Sequence, residues 1–180
     1  MTEQQLGIVD AAQRYATEAH AGQVREGSGL PYICHPARVV TTLRDVGMVD
    51  DEVLAAAWLH DVAEDTDRTI ADIRELFGSR VADLVTMLTR VSGQDRADYY
   101  RTIWRDPAAE AIKLADRLDN LREVHLRGVA ITRRYLAETF AHFDHTHTTS
   151  VAHRELWVLL LRQDQTLRRW LRGGGPESHG

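Results

Sequence analysis

Apolar residues along this chain recur at intervals of three and four, and the strict alternation that marks a half-buried strand is nearly absent. The prolines Pro31, Pro36, Pro107 and Pro176 stand where helices begin or where the chain reads as loose, so none interrupts a periodic segment. The pattern predicts an all-α fold. A first helix is expected over about Glu3 to Ala21, closed by Gly22. The loop GQVREGSGLPYIC follows, with glycines that suit irregular backbone able to wrap a ligand. Pro36 is expected as the first residue of a helix reaching Asp45, with Gly47 closing it. Further helices are predicted over Asp50 to Ala63, Thr69 to Phe77, Arg80 to Arg90, Asp95 to Trp104, Pro107 to Leu126, Ile131 to His145 and Val151 to Leu171. Thr69 with Asp72 three residues on reads as a capping box. The tail GGGPESHG is too polar and glycine-rich to pack, which predicts one domain over residues 1–172 and a disordered tail over 173–180. There is no internal repeat.

Composition narrows the function. A chain of 180 residues with 43% apolar content can bury one core. The 22 Lys+Arg against 27 Asp+Glu leave a net charge of −5, which argues against a nucleic-acid binder that neutralises many phosphates. An anionic small molecule would have to be held by local positive charge. Cys34 is the lone cysteine, so no intramolecular disulfide framework exists. The start MTEQQLGIVDAAQ has neither the basic segment nor the apolar run of a secretory signal, and no apolar run approaches the roughly 20 residues that span a bilayer. The expected location is cytoplasmic, with no membrane partner.

The segment VLAAAWLHDVAEDT concentrates the candidate chemistry. Read as one helix, it is apolar on every face and therefore central, yet it ends in ionisable residues. At about 100° per residue His60 and Glu64 share the sector of Val53 and Ala57, while Asp61 and Asp65 share that of Leu54 and Trp58. Burying an imidazole and three carboxylates costs several kcal/mol per uncompensated charge, and a divalent metal ion would compensate them. The alternative is a helix that emerges into solvent after Leu59 as an acidic turn, although the macrodipole disfavours carboxylates at that end by about 0.3–1 kcal/mol each.

Three ordered stretches carry a family resemblance. LHDVAEDT resembles the HD-plus-ED signature of the RelA/SpoT-type hydrolase domain, within the HD phosphohydrolase superfamily. AHAGQVREGSGLPYICHPARV is similar to the opening block of that family, HxGQxRK then PY then HP, and KLADRLDNLRE is similar to its KLADRLHNMR block. The stretches run from about His20 to Glu123. The resemblance implies His35, His60, Asp61 and Asp116 as ligands of one divalent ion, Mn²⁺ by family habit, with Fe²⁺ or Zn²⁺ compatible with two imidazoles and two carboxylates. It implies Glu64 and Asp65 as the catalytic pair, Arg25 packing on a guanine base and Asn120 on the ribose or phosphate side. The reaction it implies is the conversion of ppGpp to GDP and pyrophosphate, pppGpp likewise, as in the small stand-alone alarmone hydrolases.

Departures from the pattern bear on specificity. Glu26 replaces the usual lysine after Arg25, and Asp119 replaces the usual histidine of the third block. An anion facing a polyanionic substrate weakens its binding, which keeps open an HD phosphohydrolase for another nucleotide, such as an adenosine alarmone or NADPH. A non-catalytic nucleotide-binding domain is the more distant alternative, and a homo-oligomer is compatible with the chain. On periodicity alone Asp116 falls opposite the stripe Leu114, Leu118 and Leu121 and reads as a solvated carboxylate. His20 reads as a packing or loop-fixing residue, Tyr99, Tyr100 and Trp104 as core, and His142, His145, His147 and His153 as polar surface rather than a second metal site.

Overall fold

The computed structural model describes residues 7–143 and 150–173. Among them the chain runs α1 (Ile8–Ala19), α2 (Cys34–Asp45), α3 (Asp51–Leu59), α4 (Val62–Asp65), α5 (Ile70–Leu88), α6 (Arg96–Ile103), α7 (Pro107–Glu123), a 3₁₀ turn (Val124–Arg127), α8 (Val129–Phe143) and α9 (Val151–Arg172). The all-α reading holds: the described extended pairing is a single bridge between Val24 and Pro31. No helix among the described residues is long and apolar enough to cross a membrane.

α7 is the axis of the molecule. Asp106 caps it, accepting from the amides of Ala108 (2.9 Å) and Ala109 (3.4 Å), and Pro107 fills the first position, where no amide hydrogen is needed. α2 and α9 pack along it, and α3, α5, α6 and α8 touch it as well. α3 lies between α1, α2 and α5, and Val53 to Leu59 are all buried, as an apolar circumference demands. Asp50 caps its start, accepting from Glu52 and Val53.

Four expectations change. Asp116 is buried, 5% exposed, because α2 and α3 also pack on α7, so the face opposite its leucine stripe meets protein and the wall of a cleft rather than open solvent. The predicted helix Asp50 to Ala63 ends at Leu59 and restarts as the single turn α4, with His60 and Asp61 at the break. α2 begins at Cys34, two residues before Pro36; proline is tolerated throughout the first turn, so it marks a helix start without fixing the first residue. The predicted pair Thr69 to Phe77 and Arg80 to Arg90 is one element with a break at Gly78 (φ 86°, ψ 172°), and the capping box at Thr69 and Asp72 is present. The start predicted at Glu3, the histidines His145 and His147, and the tail from Gly174 onward lie outside the described residues.

The loop after α1 folds back on itself: Arg25 N donates to Leu30 O (2.8 Å), Tyr32 N to Gln23 O (2.9 Å) and Gly29 N to Arg25 O (2.9 Å). At Gly27 a Cβ would meet Arg127 Cγ at 3.0 Å and Leu126 Cβ at 3.2 Å, so the missing side chain lets the loop rest on the 3₁₀ turn. That contact carries Arg25 to α7.

Gly78 stands in a backbone region that only glycine occupies freely, with open space around its Cα. Gly78→Ala is expected to lower unfolding stability by about 1–3 kcal/mol in a urea titration, from backbone strain alone. Unchanged stability would mean that the break can be made by an ordinary residue.

Candidate metal centre and active site

The break between α3 and α4 turns His60 inward and leaves Asp61 beside it, while α2 supplies His35 and α7 supplies Asp116. His35 and His60 are buried and their Nε2 atoms lie 3.3 Å apart. His35 Nε2 is 3.1 Å from Asp116 Oδ1 and 3.5 Å from Asp61 Oδ2. His60 Nε2 is 3.1 Å from Asp61 Oδ2 and 3.9 Å from Asp116 Oδ1. The structure thus brings the four predicted ligands to one point, and donor atoms of His35, His60 and Asp116 all lie within 4.8 Å of one another.

The donor set fits a divalent ion. His60 Nδ1 donates to Ala57 O (2.8 Å) and His35 Nδ1 to Asp119 Oδ2 (2.7 Å), so neutral rings carry their proton on Nδ1. Both Nε2 lone pairs then converge with two carboxylates, an arrangement that repels itself unless a cation or protons lie between. Donors about 2.1 Å from one ion stand roughly 3.0–3.4 Å apart at right or tetrahedral angles. Four of the five separations, 3.1 to 3.5 Å, lie near that span, and only His60 to Asp116 is wider.

Electrostatics agrees. Burial alone would lower the His35 imidazole, but its hydrogen bonds to Asp116 and Asp119 and the charge of Asp61 outweigh burial and push it up to about 9. Against the same burial, Asp61 raises His60, and His60 in turn holds Asp61 low. Asp116 stays well below the usual carboxylate range despite burial, chiefly through Lys113, whose Nζ lies 2.7 Å from Asp116 Oδ2. Without an ion, protons and Lys113 carry the neutralising charge.

The predicted catalytic pair sits at the rim. Glu64 and Asp65 are exposed, so the expectation that both sectors of the helix look inward holds for His60 and not for them; the break at Asp61 removes the continuous wheel on which it rested. They line the mouth of a cleft of about 520 Å³ whose wall also includes Asp61 and Asp116. Glu64 Oε2 accepts from the Arg90 amide at 2.9 Å, and Asp65 Oδ2 is 2.9 Å from the Tyr32 hydroxyl, which also donates to Asp61 Oδ2 at 2.7 Å. Desolvation, reinforced by the charge of Asp61, raises both carboxyls above their ordinary values.

Cations line the same cleft: Arg25, Lys113, Arg117, Arg127 and Arg134, interleaved with Glu26, Glu123 and Glu138 and joined by Asn120 and Tyr135. Arg25 Nη2 donates to Asn120 Oδ1 (2.9 Å) and its Nε to Glu123 Oε2 (3.2 Å), so the two predicted substrate-binding residues touch each other. Asn120 Nδ2 in turn donates to Asp116 Oδ1, which joins the nucleotide-binding candidates to the metal candidates. Arg117 is buried against Tyr100 (2.6 Å) and Glu138 (3.1 Å).

Sequence reasoning missed Tyr32, Lys113 and Arg117 as parts of the site. Tyr32 belongs to the PY of the opening block, and Lys113 stands three residues before Asp116, the spacing at which helical side chains meet. His20 has the expected fixing role: its Nδ1 lies 2.8 Å from Gln23 Oε1 and its ring stacks on Tyr32. Tyr99 and Tyr100 are buried as expected and also line the cleft. The polar-surface reading fails for His153, which is buried with its Nε2 2.7 Å from Pro107 O, while His142 stacks on Tyr100.

Residues 12–146 match the HD domain family, and the chain belongs to it. Among curated relatives, a guanosine-3′,5′-bis(diphosphate) 3′-pyrophosphohydrolase of Aquifex aeolicus is 41% identical over 63% of this chain and 17% of its own length. The bifunctional (p)ppGpp synthase/hydrolase SpoT of Escherichia coli is 37% identical over 77% of this chain and 21% of its own length. The chain therefore spans about a fifth of these relatives. Among solved structures, a metazoan ortholog of SpoT described as hydrolysing ppGpp superposes with a TM-score of 0.75 at 28% identity, covering 93% of this chain and 98% of that one. A Listeria monocytogenes protein superposes with a TM-score of 0.60 at 28% identity, over 78% of this chain and 99% of its own.

Because an incoming ion must displace the proton that His35 holds to about 9, metal affinity is expected to rise with pH. The expected slope is about tenfold per unit for each proton released, flattening above pH 9. The metal-free protein behaves oppositely, since a raised histidine stabilises fully below its unfolded value near 6.5 and loses that contribution as pH climbs through 9. Mn²⁺ titrations from pH 6 to 9, with thermal melts of EDTA-treated protein, check both signs; an affinity that falls with pH contradicts the assignment of His35.

Proposed function

We propose that this protein is a metal-dependent phosphohydrolase that removes the 3′-pyrophosphoryl group of guanosine alarmones, converting ppGpp to GDP and pyrophosphate and treating pppGpp likewise. The observation that carries the reading is the convergence of two inward Nε2 lone pairs and two carboxylates in a cleft that arginines and Lys113 also line. Relatives and a structural neighbour with ppGpp hydrolysis in their descriptions support the substrate. His35, His60, Asp61 and Asp116 would hold the ion, Mn²⁺ in this reading, with Fe²⁺ or Zn²⁺ chemically compatible. When bound, such an ion would lower the pKa of a coordinated water toward neutrality and supply a nucleophile.

The chain's own residues do the rest. Water adds to the phosphorus bonded to the ribose 3′ oxygen, that P–O bond breaks, and the new oxygen departs with the pyrophosphate. Glu64 and Asp65 take the proton of the water and return one to the 3′ oxygen; carboxyls raised above their ordinary range suit this exchange. Lys113 and Arg117 meet the phosphates in the cleft, and Arg25 and Asn120 take the nucleoside, with the guanidinium held by Asn120 and Glu123 and offering its flat face to a base. The catalytic unit is the domain over residues 1–172, acting in the cytoplasm on a soluble nucleotide.

One observation favours a different nucleotide within the same chemistry. Glu26 is ion-paired to Arg127 at the rim, so a cation that could face phosphate is already neutralised. ppGpp, ppApp and NADPH are therefore compared in one assay with Mn²⁺, reading pyrophosphate and phosphate release. The reading predicts pyrophosphate from ppGpp, loss of turnover with EDTA, and a fall of about 10²–10⁴ in kcat for Glu64→Gln or Asp65→Asn. Intact ppGpp with another nucleotide cleaved overturns the substrate and leaves the chemistry; no turnover of any of them overturns both.

A further inference from the structure

The metal reading gives no part to Asp119, the most deeply buried acid among the described residues. Asp119 is 0% exposed and faces α2 rather than the cleft. Its Oδ2 accepts from His35 Nδ1 at 2.7 Å, and its Oδ1 accepts from Arg38 Nε at 2.7 Å, with Arg38 Nη2 3.3 Å from Oδ2. Arg38 also reaches Glu123 Oε1 at 2.8 Å, and Glu123 holds Arg25. A buried carboxylate with no cation would be intolerable, so Arg38, with Arg25 Nη2 more distant at 3.9 Å, is what lets an acid occupy this place.

We propose that Asp119 is the positioning residue of His35. Its carboxylate fixes the imidazole proton on Nδ1 and sets the rotation of the ring, which presents Nε2 as a lone pair to the ion, and Arg38 pins the carboxylate in turn. An anionic acceptor behind an imidazole also makes the ring a better electron donor to a metal. The departure at position 119 therefore acts on the metal from behind His35, and its Oδ2 also lies 3.9 Å from Arg25 Nη2. The inference rests on His35 as a ligand. Its rival is a plain salt bridge in which Asp119 and Arg38 tie α7 to α2; that role would lower stability and leave the metal affinity of the folded protein unchanged.

Mn²⁺ affinity of the metal-stripped protein, read from the electron-paramagnetic signal of the free ion, separates the two. Asp119→Ala is expected to weaken binding about 10- to 100-fold. Asp119→Asn is expected to recover most of the loss, because its amide oxygen can accept the same bond from Nδ1. His35→Ala marks the affinity left without that ligand. A folded Asp119→Ala protein with parental affinity, beside a weakened His35→Ala, overturns the inference alone; parental affinity in His35→Ala overturns the metal centre and the inference with it. Since the alanine variant can fail to fold, nitrogen-15 spectra of the Zn²⁺-loaded parent give a second readout. They are expected to show the His35 proton on Nδ1, a signal missing from His35→Ala, and a proton on Nε2 instead overturns the proposal.

Discussion

Charge in a dry interior governs this molecule. His35, His60 and Asp116 are buried and Asp61 closes on them, so groups that each cost several kcal/mol when unpaired stand within hydrogen-bond range of one another. Each is compensated by something identifiable. Lys113 holds one oxygen of Asp116, Asp119 and Arg38 hold the back of His35, the Ala57 carbonyl holds the back of His60, and Tyr32 holds Asp61. What remains uncompensated is the shared point in front of the two Nε2 atoms, and a divalent cation answers it.

The fold follows from the need to bring those groups together. α7 carries Lys113, Asp116, Asp119 and Asn120, and their spacing of three and four residues makes one helix serve two neighbours. Lys113, Asp116 and Asn120 open on the cleft, while Asp119 turns to α2 and its histidine. At the break after α3, His60 turns inward and Asp61 stays in the lining of the open cleft.

Local chemistry was legible before any coordinates. The capping box at Thr69, Pro107 at the start of α7 and the apolar circumference of α3 are decided within a few residues, and all three are present. The three motif blocks named the side chains that converge. Long-range facts were not legible. Asp116 read as solvated because the wheel of one helix carries no record of what packs on its far side, and Glu64 and Asp65 read as buried because neither glycine nor proline marks the break at Asp61. Asp119 stood out only as a departure, since its partners His35 and Arg38 lie 84 and 81 positions earlier in the chain.

The most direct measurement is a crystal structure of the protein loaded with Mn²⁺, with anomalous scattering recorded near the manganese edge. The account predicts one strong peak about 2 Å from both histidine Nε2 atoms and in contact with Asp61 and Asp116, the Nδ1 sides of the rings still turned to Ala57 and Asp119. A peak elsewhere in the cleft, or side chains of residues 35, 60, 61 and 116 pointing to separate places around it, would contradict the account at its root.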